Sequence, residues 1–123
     1  MQIRRDTLID GVTVWARQRS EIRALLLVGS YARGEPRPDS DVDLIILSAA
    51  PEALLNDQSW ILRFGRVRRS ALEDWGKLVS IRVWYEDGVE VEFGIAPTDW
   101  REDQGSAAVL AGGCSVLLDR DSL

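Results

Sequence analysis

Two short apolar segments constrain the fold of this chain more than any other feature. The first, Ile22 to Val28, runs into Gly29; the second opens on Asp41-Val42-Asp43 and continues through Leu44, Ile45, Ile46 and Leu47. Both are strand-sized and far below the roughly 20 apolar residues that cross a bilayer. An apolar run without strict alternation is what a strand covered on both faces requires. A sheet with these two strands in its interior is therefore expected, and no membrane partner.

Around them the periodicity changes. Between Asp6 and Arg19, Leu8, Ile9, Val12, Trp15 and Ala16 recur at spacings of three and four, which predicts an amphipathic helix despite Gly11. Ser30 to Gly34 suits a helical turn, and Pro36 and Pro38 make the following stretch a loop. Ala50 to Arg63 reads as a second helix with Pro51 in its first turn, and Gly65 to Lys77 as irregular chain or an edge strand. Residues alternate from Leu78 to Glu86 and from Val89 to Ala96; Asp87-Gly88 between them predicts a hairpin with a type I′ turn. A helix around Ser106 to Ala111 and a strand from Ser115 to Leu118 complete the pattern. With 123 residues, a single domain spanning 1–123 is expected.

Composition narrows the chemistry. The chain has no histidine and one cysteine, which removes an internal disulfide, a zinc site and the Ser-His and Cys-His nucleophile systems. Cys114 is expected to be a buried structural thiol. A net charge of -5 repels a phosphate backbone, so no nucleic-acid partner is expected. The N-terminus lacks the apolar core of a secretory signal, and a cytoplasmic location is expected. Catalysis has to lean on carboxylates, metal ions, Arg, Lys or the backbone.

Those carboxylates come in a pattern. Gly29 has no Cβ and lets the backbone approach a bulky anion, and Ser30 adds a hydroxyl and an amide where a helical turn begins, so the pair suits a phosphate. Asp41 and Asp43 share one face of a strand, about 6.5 to 7 Å apart at their Cα atoms. Paired acids of this kind can share two divalent ions that bridge the attacking and leaving oxygens of an in-line displacement at phosphorus. A third carboxylate is wanted beside the attacking hydroxyl, and the hairpin offers Glu90 and Glu92 with equal parity. Gly94 on that face would keep the space open, while Val89, Val91, Phe93 and Ile95 are left for the core.

Gly29-Ser30-Tyr31-Ala32-Arg33-Gly34, followed by Ser40-Asp41-Val42-Asp43-Leu44, resembles the signature of the minimal nucleotidyltransferases of the DNA polymerase beta superfamily. The resemblance spans Ile22 to Ala96. It implies an α/β (α+β) protein with a mixed, largely antiparallel sheet flanked by helices, the polymerase beta-like palm. It also implies magnesium on Asp41, Asp43 and the third acid, and ATP contacts from Gly29, Ser30, Arg33 and Ser40. Glu92-Phe93 matches the family's third acid better than Glu90-Val91, with Glu90 left open. The activity implied is transfer of AMP from ATP to a hydroxyl on a protein or a small molecule. Antibiotic-modifying relatives hold the acceptor with a further helical domain; here a partner chain, a homodimer or a protein acceptor is expected to serve instead. Stand-alone members also suggest an antitoxin-like alternative, in which the chain binds a small helical partner of the HEPN type, with or without adenylylating it.

Rival motifs fail on single residues. Asp39, Asp41 and Asp43 mimic a calcium loop, but Leu44 stands where that loop needs glycine. Gly29 to Gly34 mimics a Walker A loop, but Glu35-Pro36 replaces its Lys and Ser or Thr. Arg63, Arg66, Arg68 and Arg69 are expected on solvated surface, and the five tryptophans mostly in the core.

Overall fold

In the computed structural model, residues 2–29, 41–102 and 113–121 are described. The two apolar segments are neighbours in the middle of one six-stranded sheet. In chain order the strands are β1 (Ile22–Val28), β2 (Val42–Ser48), β3 (Val67–Asp74), β4 (Val79–Tyr85), β5 (Glu90–Pro97) and β6 (Cys114–Asp119). Their spatial order is β3-β4-β5-β2-β1-β6. Among the described residues only β2 and β5 run parallel; the other four pairings are antiparallel, so the sheet is mixed and largely antiparallel, as the family resemblance implied.

One face of the sheet holds the main core. Leu25, Leu27, Leu44, Ile46, Ile81, Val83, Val91, Phe93 and Ile95 project onto it, and helix α1 (Gln2–Arg17) covers them with Leu8, Ile9, Val12, Trp15 and Ala16. The five helix residues named from their spacing are all buried. Arg120 ties down the end of α1, donating to the carbonyl of Arg17 at 2.6 Å and to that of Ala16, which also accepts from the Arg19 amide, at 3.3 Å. The aromatic centre of this layer stacks Trp15 on Trp60 at 4.8 Å and sets Trp60 edge-on to Phe93 at 5.0 Å. Such pairs add to the burial of their rings.

The predicted second helix is two pieces. Helix α2 (Pro51–Asn56) ends early, and a 3-10 segment runs from Ser59 to Phe64. Asp57 causes the break: its carboxylate accepts from the Ser59 amide at 3.1 Å, a local bond that competes with helix continuation. The Gly65 to Lys77 stretch resolves as edge strand β3, mostly exposed.

The hairpin is where it was expected, but its turn is different. Tyr85 donates to the Val89 carbonyl at 2.9 Å and Gly88 to the Tyr85 carbonyl at 3.0 Å, so Glu86, Asp87 and Gly88 form a three-residue loop. Gly88 takes the left-handed conformation, φ 96°, that ends such a loop in a bulge. The last strand is β6, an edge strand, and Cys114 at its start is exposed, which corrects the expected buried thiol. The helical turn expected at Ser30 to Gly34 and the helix around Ser106 to Ala111 lie outside the described residues. No helix among the described residues is long and apolar enough to cross a membrane.

Candidate functional site

The second face of the sheet divides into two parts. Ala24, Leu26, Val28, Ile45, Leu47 and Ala96 form an apolar part under Trp100. Beside it, the same strand parity brings up polar side chains instead. Parallel pairing sets Asp43 of β2 against Glu92 of β5, and antiparallel pairing sets Arg82 of β4 against Glu92. Asp43 and Glu92 therefore meet across the one parallel seam of the sheet. Asp41, one residue before β2, comes to the same place, with its carboxylate 3.4 Å from Arg82.

The corner above Asp43 is Gly29. Its φ is 80°, a conformation L side chains rarely adopt, and a Cβ there would lie 2.7 Å from the Asp43 carboxylate. Glycine is needed because the carboxylate fills the place a side chain would take. Gly94 lies on the same face, but it is buried, and an added Cβ would press on Leu78 at 3.0 Å. It also lines the cleft over this face together with Leu78, so the space it was expected to keep open is there.

Arg82 is the residue that sequence reasoning missed. Its guanidinium bonds Glu90 at 2.6 Å, Glu73 at 3.1 Å and Asp41 at 3.4 Å, and also bonds Glu92. Ser80 donates to the other oxygen of Glu92 at 3.3 Å. Five carboxylates, Asp41, Asp43, Glu73, Glu90 and Glu92, thus gather around one guanidinium. The imbalance shows in the protonation equilibria. Burial, reinforced by the charges of Glu92 and Asp41, pushes the Asp43 carboxyl up to about 6. Asp41 is raised too, by burial first and then by Glu90. Arg82 itself is raised, foremost through its hydrogen bond to Glu90.

A cleft of about 730 Å³ opens over this ground. Gly29, Asp41, Asp43, Arg82 and Glu92 line its polar side, and Leu78, Trp100, Trp75 and Lys77 its other side. Trp75, at the turn between β3 and β4, is 63% exposed, which separates it from the buried Trp15, Trp60 and Trp100. Glu92 lines the cleft and Glu90 does not, while Glu90 is the acid whose charge and hydrogen bond bear most on Asp41. The basic stretch keeps to the surface: Arg63, Arg66, Arg68 and Arg69 are exposed, and Arg69 stacks over Trp84 at 4.0 Å. Ser30, Arg33 and Ser40, the other nucleotide contacts implied by the resemblance, lie outside the described residues.

The donors suit a hard divalent cation, which takes carboxylate oxygens. Among the described residues no three acidic or thiol side chains stand as a finished metal cage. The fit rests on charge and chemistry: buried carboxylates whose ionisation is opposed by their neighbours are stabilised by a cation beside them.

Comparison with known proteins bears on the family and the fold. The family model described as streptomycin adenylyltransferase matches residues 3–123. No curated protein matches the sequence. Among solved structures, an aminoglycoside 6-adenyltransferase from Bacillus subtilis superposes with a TM-score of 0.65 at 18% identity, over 83% of this chain. The chain spans 38% of the length of that enzyme, and the likeness is one of fold.

Proposed function

Because the chain belongs to the streptomycin adenylyltransferase family of nucleotidyltransferases, we propose that its acidic cleft transfers AMP from ATP to a hydroxyl group of a small acceptor. The observation that carries this reading is the meeting of Asp41, Asp43 and Glu92 on one face, beneath a glycine corner that a side chain would close. In the reaction the acceptor oxygen attacks the α-phosphorus, a phosphorus–oxygen bond forms, and the bond to the pyrophosphate oxygen breaks. Asp41, Asp43 and Glu92 would hold magnesium, which would supply electrophilic stabilisation of the transferring phosphoryl group.

The chain's own groups would do the rest. Glu92, on the far side of Asp43 from Gly29 in the sheet, is placed to orient the acceptor hydroxyl and take its proton. Ser80 fixes one of its oxygens for that task. Gly29, with Ser30, Arg33 and Ser40, would receive the triphosphate. An acidic cleft favours a cationic acceptor, and the names of the matched family and fold neighbour supply candidates in streptomycin and the aminoglycosides.

The test is transfer of label from α-labelled ATP to a panel of aminoglycosides with magnesium present. Wild-type protein should form a labelled product and release pyrophosphate, and the paired change Asp41→Asn with Asp43→Asn should abolish both. Undiminished transfer by that variant would refute the assignment. Label appearing on a protein would instead move the acceptor to a macromolecule.

A further inference from the structure

Arg82 is an unexpected neighbour for carboxylates that are to receive a cation. Its guanidinium is itself a cation, bonded to both Asp41 and Glu92. An arginine at such a place can be a permanent strut or a substitute charge. Its other two partners separate these roles. Glu73 on β3 and Glu90 on β5 also bind it, at 3.1 and 2.6 Å, and neither lines the cleft. An arginine placed only to neutralise Asp41 and Glu92 would need neither of them.

We propose that Arg82 is a positioning residue that fills the electrostatic place of the divalent cation, holding Asp41 and Glu92 together, and that it withdraws onto Glu73 and Glu90 when the cation binds. The inference rests on the cation-binding reading above and adds an internal competitor to it. Three physical points support it. Two like-charged acids approaching without a counter-charge repel, so something positive has to preassemble them. A guanidinium offers five donors in a planar fork and can release two partners while keeping others. The Asp41 contact, at 3.4 Å, is the longest of the measured ones and the first expected to give way. Glu90 thereby acquires a role distinct from that of Glu92: it anchors the arginine, whereas Glu92 exchanges it for the ion.

The consequence is a sign opposite to that of an ordinary structural residue. Removing a strut loosens a binding site; removing a competitor tightens it. Manganese binding, followed by calorimetry and by the rise of melting temperature with ion concentration in the full chain without nucleotide, reads this directly. Arg82→Met should melt lower than wild type in chelator yet bind manganese roughly tenfold more tightly or better. Arg82→Lys, which keeps the charge but loses the fork, should fall between the two and serves if the methionine variant does not fold. Lys77→Met, which removes a positive charge from the same cleft, should change the affinity less than about twofold. Unchanged or weaker manganese binding by the Arg82 variants would overturn the inference while leaving the cation site standing. A gain in Lys77→Met equal to that in Arg82→Met would also overturn it, by reducing the effect to net charge. If no variant and no wild-type protein binds manganese, the cation reading itself fails, and the two failures are thus distinguishable.

Discussion

The two faces of the sheet are built from alternate residues of the same strands and obey opposite rules. On the helical face, Leu44, Ile46, Val91, Phe93 and Ile95 are at most 1% exposed and pack on aromatic rings. On the other, Asp43, Glu90, Glu92 and Arg82, their sequence neighbours, are only half-buried and crowd like charges together. One face gains stability from burial, and the other gives some of it up to keep carboxylates adjacent. Stability and chemistry are thus separated by strand parity together with position along the strand, since Ile45 and Leu47, of the same parity as Asp43, join the apolar part of the second face.

That contrast can be broken by substitutions on either side. The largest effect is expected from Phe93→Ala on the helical face, which empties space against Trp60 and Phe64 and should cost about 3–5 kcal/mol in urea unfolding. Next is Gly29→Ala, where a left-handed backbone and a methyl 2.7 Å from Asp43 combine. We expect a loss of about 1–2 kcal/mol and a larger loss of AMP transfer, since the displaced group is the carboxylate itself.

Asp43→Asn should act in the other direction. It removes a charge that the fold opposes, so the melting temperature at neutral pH should rise, on the order of 4 °C, as transfer is lost. The pH dependence carries the same sign. With a folded pKa of about 6 against an ordinary 3.8, Asp43 binds its proton more tightly in the folded chain. Its contribution to stability should therefore be greatest below pH about 4 and decline as pH rises through about 6. Comparing the pH–stability curves of wild type and Asp43→Asn isolates this term. The smallest effect is expected at Arg4, half-buried, whose side chain binds Asp87 and the Phe64 carbonyl: Arg4→Ala should cost about 1 kcal/mol, with transfer retained.

The sequence made one face far more legible than the other. Strand interiors, the α1 stripe and the hairpin follow from period and composition, because burial selects apolar residues at every second or every third and fourth place. Asp41, Asp43 and Glu92 were visible for the same reason, as acids intruding on apolar runs. Arg82 was hidden by one residue of turn length. A two-residue Asp87-Gly88 turn would set Arg82 opposite Phe93, on the core face, whereas the three-residue loop sets it opposite Glu92. The alternation of Ser80 and Arg82 with Ile81, Val83 and Tyr85 already demands the second register, since a slip by one would bury the arginine and expose the apolar set. Glu73 had no such signal: β3 is an exposed edge whose pairing rests on tertiary register. Cys114 was misplaced because thiols are usually buried, a tendency that an edge strand overrides.

The central claim is that Asp41, Asp43 and Glu92 form a cation site for nucleotidyl transfer. Its most direct test is a crystal of the protein with manganese and a non-hydrolysable ATP analogue, measured for anomalous scattering. The expected result is a manganese peak within about 2.5 Å of oxygens from Asp41 and Asp43, with Glu92 beside it and the analogue's phosphates toward Gly29. A peak elsewhere with the analogue bound, or an analogue bound away from the Gly29 corner, would contradict the account.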